Sequence, residues 1–366
     1  MLIAHLTRPL ETAASRMWLL GRSDAETDAV FYDTTKLTEG ERAQVDAAAA
    51  ARTTPEGSIL VLRPGRRSRG FEAFACSDPS LAGEARARAV VDRFERHLDA
   101  NPDIAARTLV VPGCGSSPLG AAALGKTVAD AIGRPVAAIV AGQTAIDRWW
   151  EALSGGLLMA PSARVARAFD RPIEWLAAVN PLAGYWARSW ARELVGVTAE
   201  AATLFELLKR RLIDDTGDRS GLRDPAAWNL DLIVSHSKGN WAVQAALLAF
   251  ELDACDRIGP DETVDRYIDV VTFGTWVDLP ELGPTARRLF RYHQFLGTHD
   301  TLALINSSSW ALARLVLARQ FDWLRPAELG HDAEEILLVG RGHNLIESND
   351  NHMPIERLLP MIRAVQ

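Results

Sequence analysis

From residue 230 to the end, short apolar runs alternate with helix-forming segments, and this alternation narrows the fold more than any other feature. LDLIVS at 230–235, YIDVVTF at 267–273, YHQFLG at 292–297 and EEILLVG at 334–340 read as strands. Helical segments at 240–253, 281–290, SSSWALARLVLARQFDWL and PIERLLPMIRAV separate or follow them. Strands and helices in this rhythm predict an α/β fold with a mostly parallel central sheet, helices on both faces and ligands at the carboxyl ends of the strands.

The first part of the chain extends the pattern. ILVLR at 59–63 and TLVVP at 108–112 are short apolar runs that end at turn residues, with an amphipathic helix between them, and together they read as a β-α-β unit. A helix over 119–132 then leads into a strand at 135–142. The stretch 143–228 contains Trp149, Trp150, Trp175, Trp186 and Trp190 and shows no strand pattern, so it reads as a helical cap. The expected organisation is a first half of the core over 1–142, a cap or lid over 143–228 and a second half of the core over 229–366. The Trp and Leu stripes of the cap suit core packing as well as a lid over an acyl chain.

Composition excludes several classes. A hydrophobic share of 48%, a charged share of 24% and a net charge of -7 describe an ordinary globular chain with no basic field for nucleic acid or anionic lipid. No run approaches the ~20 apolar residues of a membrane span, and the opening MLIAHLTRPL lacks a signal-peptide pattern. Three widely spaced cysteines, Cys76, Cys114 and Cys255, argue against a disulfide framework or a zinc cluster, and a cytoplasmic location is expected. The histidines show no metal-ligand spacing, so neither a metal nor an organic cofactor is expected.

The segment LDLIVSHSKGNWAVQAALL is a strand, a tight turn and a helix, with Ser237 at the apex. Ser235-His236-Ser237-Lys238-Gly239 resembles the G-x-S-x-G nucleophile elbow of α/β-hydrolases, with Ser235 in place of the first glycine. Small residues are needed there because the turn brings strand and helix backbones together while pushing the hydroxyl outward. An elbow of this kind calls for an acid after a later strand and a histidine after the last one. Asp300, in Thr298-His299-Asp300-Thr301 after the YHQFLG strand, fits the acid, with Asp278 in reserve. His343 in GRGHNL fits the base, and His352 in NDNHMPIERLL competes with it. An imidazole suits the role because it takes and returns a proton near neutral pH.

Residues 105–366 thus resemble the α/β-hydrolase superfamily, and DVVTFGTWVDLPELG with YHQFLGTHDTLALI resembles class 3 lipases. The resemblance implies ester hydrolysis through an acyl-serine intermediate on a small-molecule or lipid-like ester. It further implies an oxyanion hole from the amide of Lys238 and an amide of Cys114 or Gly115 in the Pro112–Ser117 loop. A thioesterase or amidase would use the same triad, and a binding protein could keep the fold without the chemistry. No subfamily motif stands out in residues 1–104.

One rival motif is literal. Gly120–Thr127 reads GAAALGKT, the G-x-x-x-x-G-K-[ST] pattern of phosphate loops. It begins several residues after the preceding strand and is Ala-rich, so an ordinary helix with a solvated Lys126, its Thr127 turned to its own backbone, is the competing expectation.

Overall fold

The computed structural model describes residues 24–65, 70–113, 116–141, 198–214, 221–254, 266–275, 277, 284–297, 334–339, 344–346 and 352–362. Its centre is an eight-stranded sheet. In chain order the strands are β1 (Ile59–Leu62), β2 (Glu72–Phe74), β3 (Thr108–Val111), β4 (Val136–Ile139), β7 (Leu232–His236), β8 (Ile268–Phe273), β9 (Phe290–Gly297) and β10 (Glu334–Val339), and they lie side by side as β10-β9-β8-β7-β3-β4-β1-β2. The six strands from β10 to β4 run parallel, and β1 and β2 join as an antiparallel hairpin at one edge. This is the α/β architecture that the alternation predicts.

Both faces of the sheet are covered, and the strand period of two divides the side chains between them. Ile59, Val61, Leu109 and Ile233 enter one core together with α3 (Gly83–Ala100), α5 (Ala199–Leu212) and α6 (Gly239–Ala254). Leu60, Leu62, Val110 and Val234 enter the other, against α4 (Pro118–Ile132). On that second side α1 (Asp24–Phe31), α2 (Glu39–Ala50) and α8 (Ile355–Leu358) pack against α4. α7 (Pro284–Leu289) leads directly into β9.

Three local expectations are corrected. The segment 59–63 to 108–112 is not a parallel β-α-β unit, because the three-residue strand β2 reverses the chain first and leaves β1 antiparallel to β4. A strand that short carries no readable period. Residues 213–214 and 221–222 form a small antiparallel ribbon, β5–β6, inside the stretch in which no strand was expected. The last helix is a single α turn followed by a 3-10 turn at Leu359–Met361, because Pro360 lacks the N–H that would continue it. The described part of the 143–228 stretch includes α5, whose buried face packs on α3 and α6 in the core of the sheet's flank. The rest of that stretch, 143–197, lies outside the described residues. Among the described residues no helix is long and apolar enough to cross a membrane, and no group of three or more His, Cys, Asp or Glu could hold a metal ion.

Candidate active site

Ser237 stands between the end of β7 and the start of α6, near the middle of the sheet. Its φ of 54° lies in the left-handed region, a conformation that costs a non-glycine residue roughly 1–2 kcal/mol. Surrounding hydrogen bonds hold it there. The Ser237 N–H donates to the Phe273 carbonyl at 2.8 Å, and the Asn240 N–H donates to the Ser237 carbonyl at 3.1 Å.

The two flanking positions explain the small residues. A Cβ at Gly239 would lie 2.4 Å from the Pro112 carbonyl oxygen and 2.5 Å from that of Val111, both backbone atoms of the neighbouring β3 segment. Only glycine lets helix and strand approach so closely. Gly239→Ala is therefore expected to destabilise the protein by on the order of 3 kcal/mol, the upper end for an overpacked site, read as a lower denaturant midpoint.

Ser235, at the position where the elbow pattern has glycine, is fully buried and donates its hydroxyl to Asn240 Oδ1 at 2.7 Å. Asn240 in turn donates to the carbonyls of Phe273 (3.1 Å) and Thr275 (2.6 Å). The departure from glycine thus carries a function of its own, tying the elbow to the end of β8.

The connection after β3 crosses directly beside the elbow. A Cβ at Gly113 would sit 3.0 Å from Ser237 Cβ, 3.1 Å from Tyr32 Oη and 3.3 Å from the His236 carbonyl oxygen. The Gly113 N–H donates to Tyr32 Oη at 2.7 Å, and Tyr32 Oη also pairs with His236 Nδ1 at 3.1 Å, with the two rings edge to face. Nothing in the sequence pointed to Tyr32, which lies more than two hundred positions from its imidazole partner.

Lys238, half-buried, begins the helical turn that follows Ser237, and its carbonyl accepts the Trp241 N–H at 2.9 Å. Cys114 and Gly115, the other oxyanion candidates, lie outside the described residues, as do Asp278, Asp300 and His343. Described residues lie close to each of them in the chain. Gln294, buried on β9, holds Val277, accepting its N–H at 3.1 Å and donating to its carbonyl at 2.8 Å, which anchors the chain next to position 278. β9 ends at Gly297, three positions before Asp300, and β10 ends at Val339, four before His343, with Val339 in register with Gly297. The carboxyl ends of β7, β8, β9 and β10 therefore share one edge of the sheet.

Asn344 and Met353, each next in the chain to one of the two late histidines, are joined by a hydrogen bond in which the Met353 N–H donates to the Asn344 carbonyl at 2.8 Å. Leu345 is also tied to the N-terminal segment: its N–H donates to the Phe31 carbonyl at 2.7 Å, and it forms a parallel bridge with Tyr32. His352 points its Nε2 at Glu356 Oε1, 2.9 Å away and one helical turn on.

The phosphate-loop pattern resolves differently. Gly120–Thr127 lies wholly within α4, so its amides belong to the helix and form no open loop. Lys126 is not solvated but completely buried. Its Nζ donates to the carbonyls of Arg63 (2.9 Å) and Gly65 (2.5 Å), 3.4 Å from Asp130 Oδ1 and 3.9 Å from Glu41 Oε1. The expectation for Thr127 holds, its hydroxyl donating to the Ala123 carbonyl at 3.0 Å.

Comparison of the chain with family models, with curated proteins and with solved structures finds no match, so the functional reading rests on the chemistry of these residues.

Proposed function

We propose that the chain is a serine hydrolase of the α/β-hydrolase type that cleaves carboxylic esters through an acyl-serine intermediate. The observation that carries this reading is the left-handed backbone of Ser237 at a strand-to-helix turn that only Gly239 permits. Buried backbone strain of this kind clusters at functional sites, and in α/β-hydrolases such a strand-to-helix turn presents the nucleophilic serine.

In this mechanism His343 takes the proton from Ser237 Oγ as the oxygen bonds to the ester carbonyl carbon. The resulting oxyanion is received by the Lys238 amide, near the positive end of α6, and by an amide of Cys114 or Gly115. The carbon–oxygen bond to the alcohol then breaks, and the departing alcohol takes the proton from the imidazolium. Water repeats the sequence on the acyl group and frees Ser237, with Asp300 orienting the imidazole throughout. The engagement of His352 with Glu356 supports His343 as the base. A thioester or amide substrate would follow the same path with a thiol or amine leaving.

The test is covalent. A fluorophosphonate probe is expected to label the purified protein once, at Ser237, and labelling should vanish in Ser237→Ala. p-Nitrophenyl esters of increasing chain length then report the acyl preference. A wild-type protein that resists the probe and leaves every ester intact is a binding protein on this fold, not a hydrolase.

A further inference from the structure

The helical turn from Asp28 to Tyr32 touches the connection between β3 and α4 at both of its ends. At the near end, Tyr32 Oη accepts the Gly113 N–H at 2.7 Å, beside Ser237. At the far end, Asp28 Oδ2 accepts the Ser117 hydroxyl at 2.5 Å, where Ser117 caps α4 by accepting the Leu119 N–H. Asp28 Oδ1 also fills the space above Gly120, 2.2 Å from where a Cβ would stand. The two clamps are one turn apart on the same segment, joined by the Tyr32 N–H to Asp28 carbonyl bond at 2.8 Å. Asp28 and Tyr32 are both buried, Asp28 although it is a carboxylate. The same segment pairs with Leu345, two positions after His343.

We infer that Asp28 and Tyr32 are positioning residues of the catalytic site, holding the β3–α4 connection against Ser237; this rests on the hydrolase reading above. Gly113 is the wall against which Ser237 Cβ packs, so the hold of Tyr32 on the Gly113 N–H bears directly on the seat of Ser237. Near a reacting centre, a misplacement of about 1 Å lowers the rate on the order of a hundredfold. The N-terminal segment, which carries no recognisable motif, thereby belongs to the site.

The test compares ester turnover in Tyr32→Phe, Asp28→Ala and Asp28→Asn with wild type, each rate divided by the amount of fluorophosphonate-reactive serine so that misfolded protein does not count. Phe keeps the ring against His236 and removes only the hydroxyl. Tyr32→Phe is expected to lower kcat by about ten- to a hundredfold with KM changed less than about twofold. Asp28→Asn, which keeps an acceptor for Ser117, is expected to restore most of the rate lost in Asp28→Ala. Wild-type kcat per reactive serine in both Tyr32→Phe and Asp28→Ala overturns the inference, even if both melt earlier, because a purely structural role moves only the melting temperature. An Asn variant as slow as the Ala variant removes Asp28 from the assignment. If the wild type itself shows no reactive Ser237, the hydrolase reading fails first and the positioning role falls with it.

Discussion

Replacing Ser237 by glycine is expected to stabilise the protein while abolishing ester hydrolysis. The residue sits at φ 54°, where a side chain costs roughly 1–2 kcal/mol and glycine costs little. Glycine gives part of this back through the greater freedom of the unfolded chain, about 0.5–1 kcal/mol. The net gain is therefore roughly 0.5–1 kcal/mol, measurable as a higher denaturant midpoint at unchanged slope. Ser237→Ala keeps the strain and should show no such gain, so the pair of variants isolates the backbone contribution. Both should lose hydrolysis by a factor on the order of 10⁴ to 10⁶, the range for removing a nucleophilic serine. A glycine variant that is less stable than its parent and still turns over ester would identify Ser237 as an ordinary polar turn residue.

The second large effect lies away from the site, at Lys126. Its ammonium group is completely buried between α4, α2 and the chain after β1, bonded to two carbonyls and facing Glu41 and Asp130. Glu41 is buried as well. Its Oε2 accepts the Thr38 N–H at 2.8 Å in a capping box at the start of α2, which leaves Oε1 turned towards the lysine. Lys126→Met removes the cation and strands that carboxylate, a change that typically costs about 3–5 kcal/mol. That is a large share of a total stability of roughly 5–15 kcal/mol. Thermal or urea unfolding should show it directly. The double variant Glu41→Gln with Lys126→Met is expected to recover a good part of the loss, since the charge left unpaired is then gone. Magnesium-ATP should shift the melting temperature of neither the wild type nor the variant. A nucleotide-dependent stabilisation that disappears with Lys126 would instead revive the phosphate-loop reading.

The reading of Lys126 shows where local pattern stops. GAAALGKT is compatible with a helix or a phosphate loop, and its propensity correctly favours helix. Whether the lysine on that helix meets water or carbonyl oxygens depends on α2 and on the chain after β1, which are distant in sequence. Ser235 is similar. As a string it looks like a defect in the elbow pattern, and only the placement of Asn240 and β8 shows that its hydroxyl has a partner.

By itself, the sequence determined what local periodicity and turn chemistry encode. The central parallel strands β3, β4, β7 and β8 are legible as largely apolar runs because a strand buried on both faces is mostly apolar. The tight turn at Ser237 is legible because a strand-to-helix turn of that kind admits few residue types. Tertiary structure alone decided the direction of β1, reversed by a three-residue strand too short to carry a period. It also brought Asp28 and Tyr32 to Gly113, Ser117 and His236, through hydrogen bonds that span 81 to 204 positions. Such bonds depend on where two distant elements come to rest, and a single polar side chain on a short helix leaves no periodic trace of the partner it will meet.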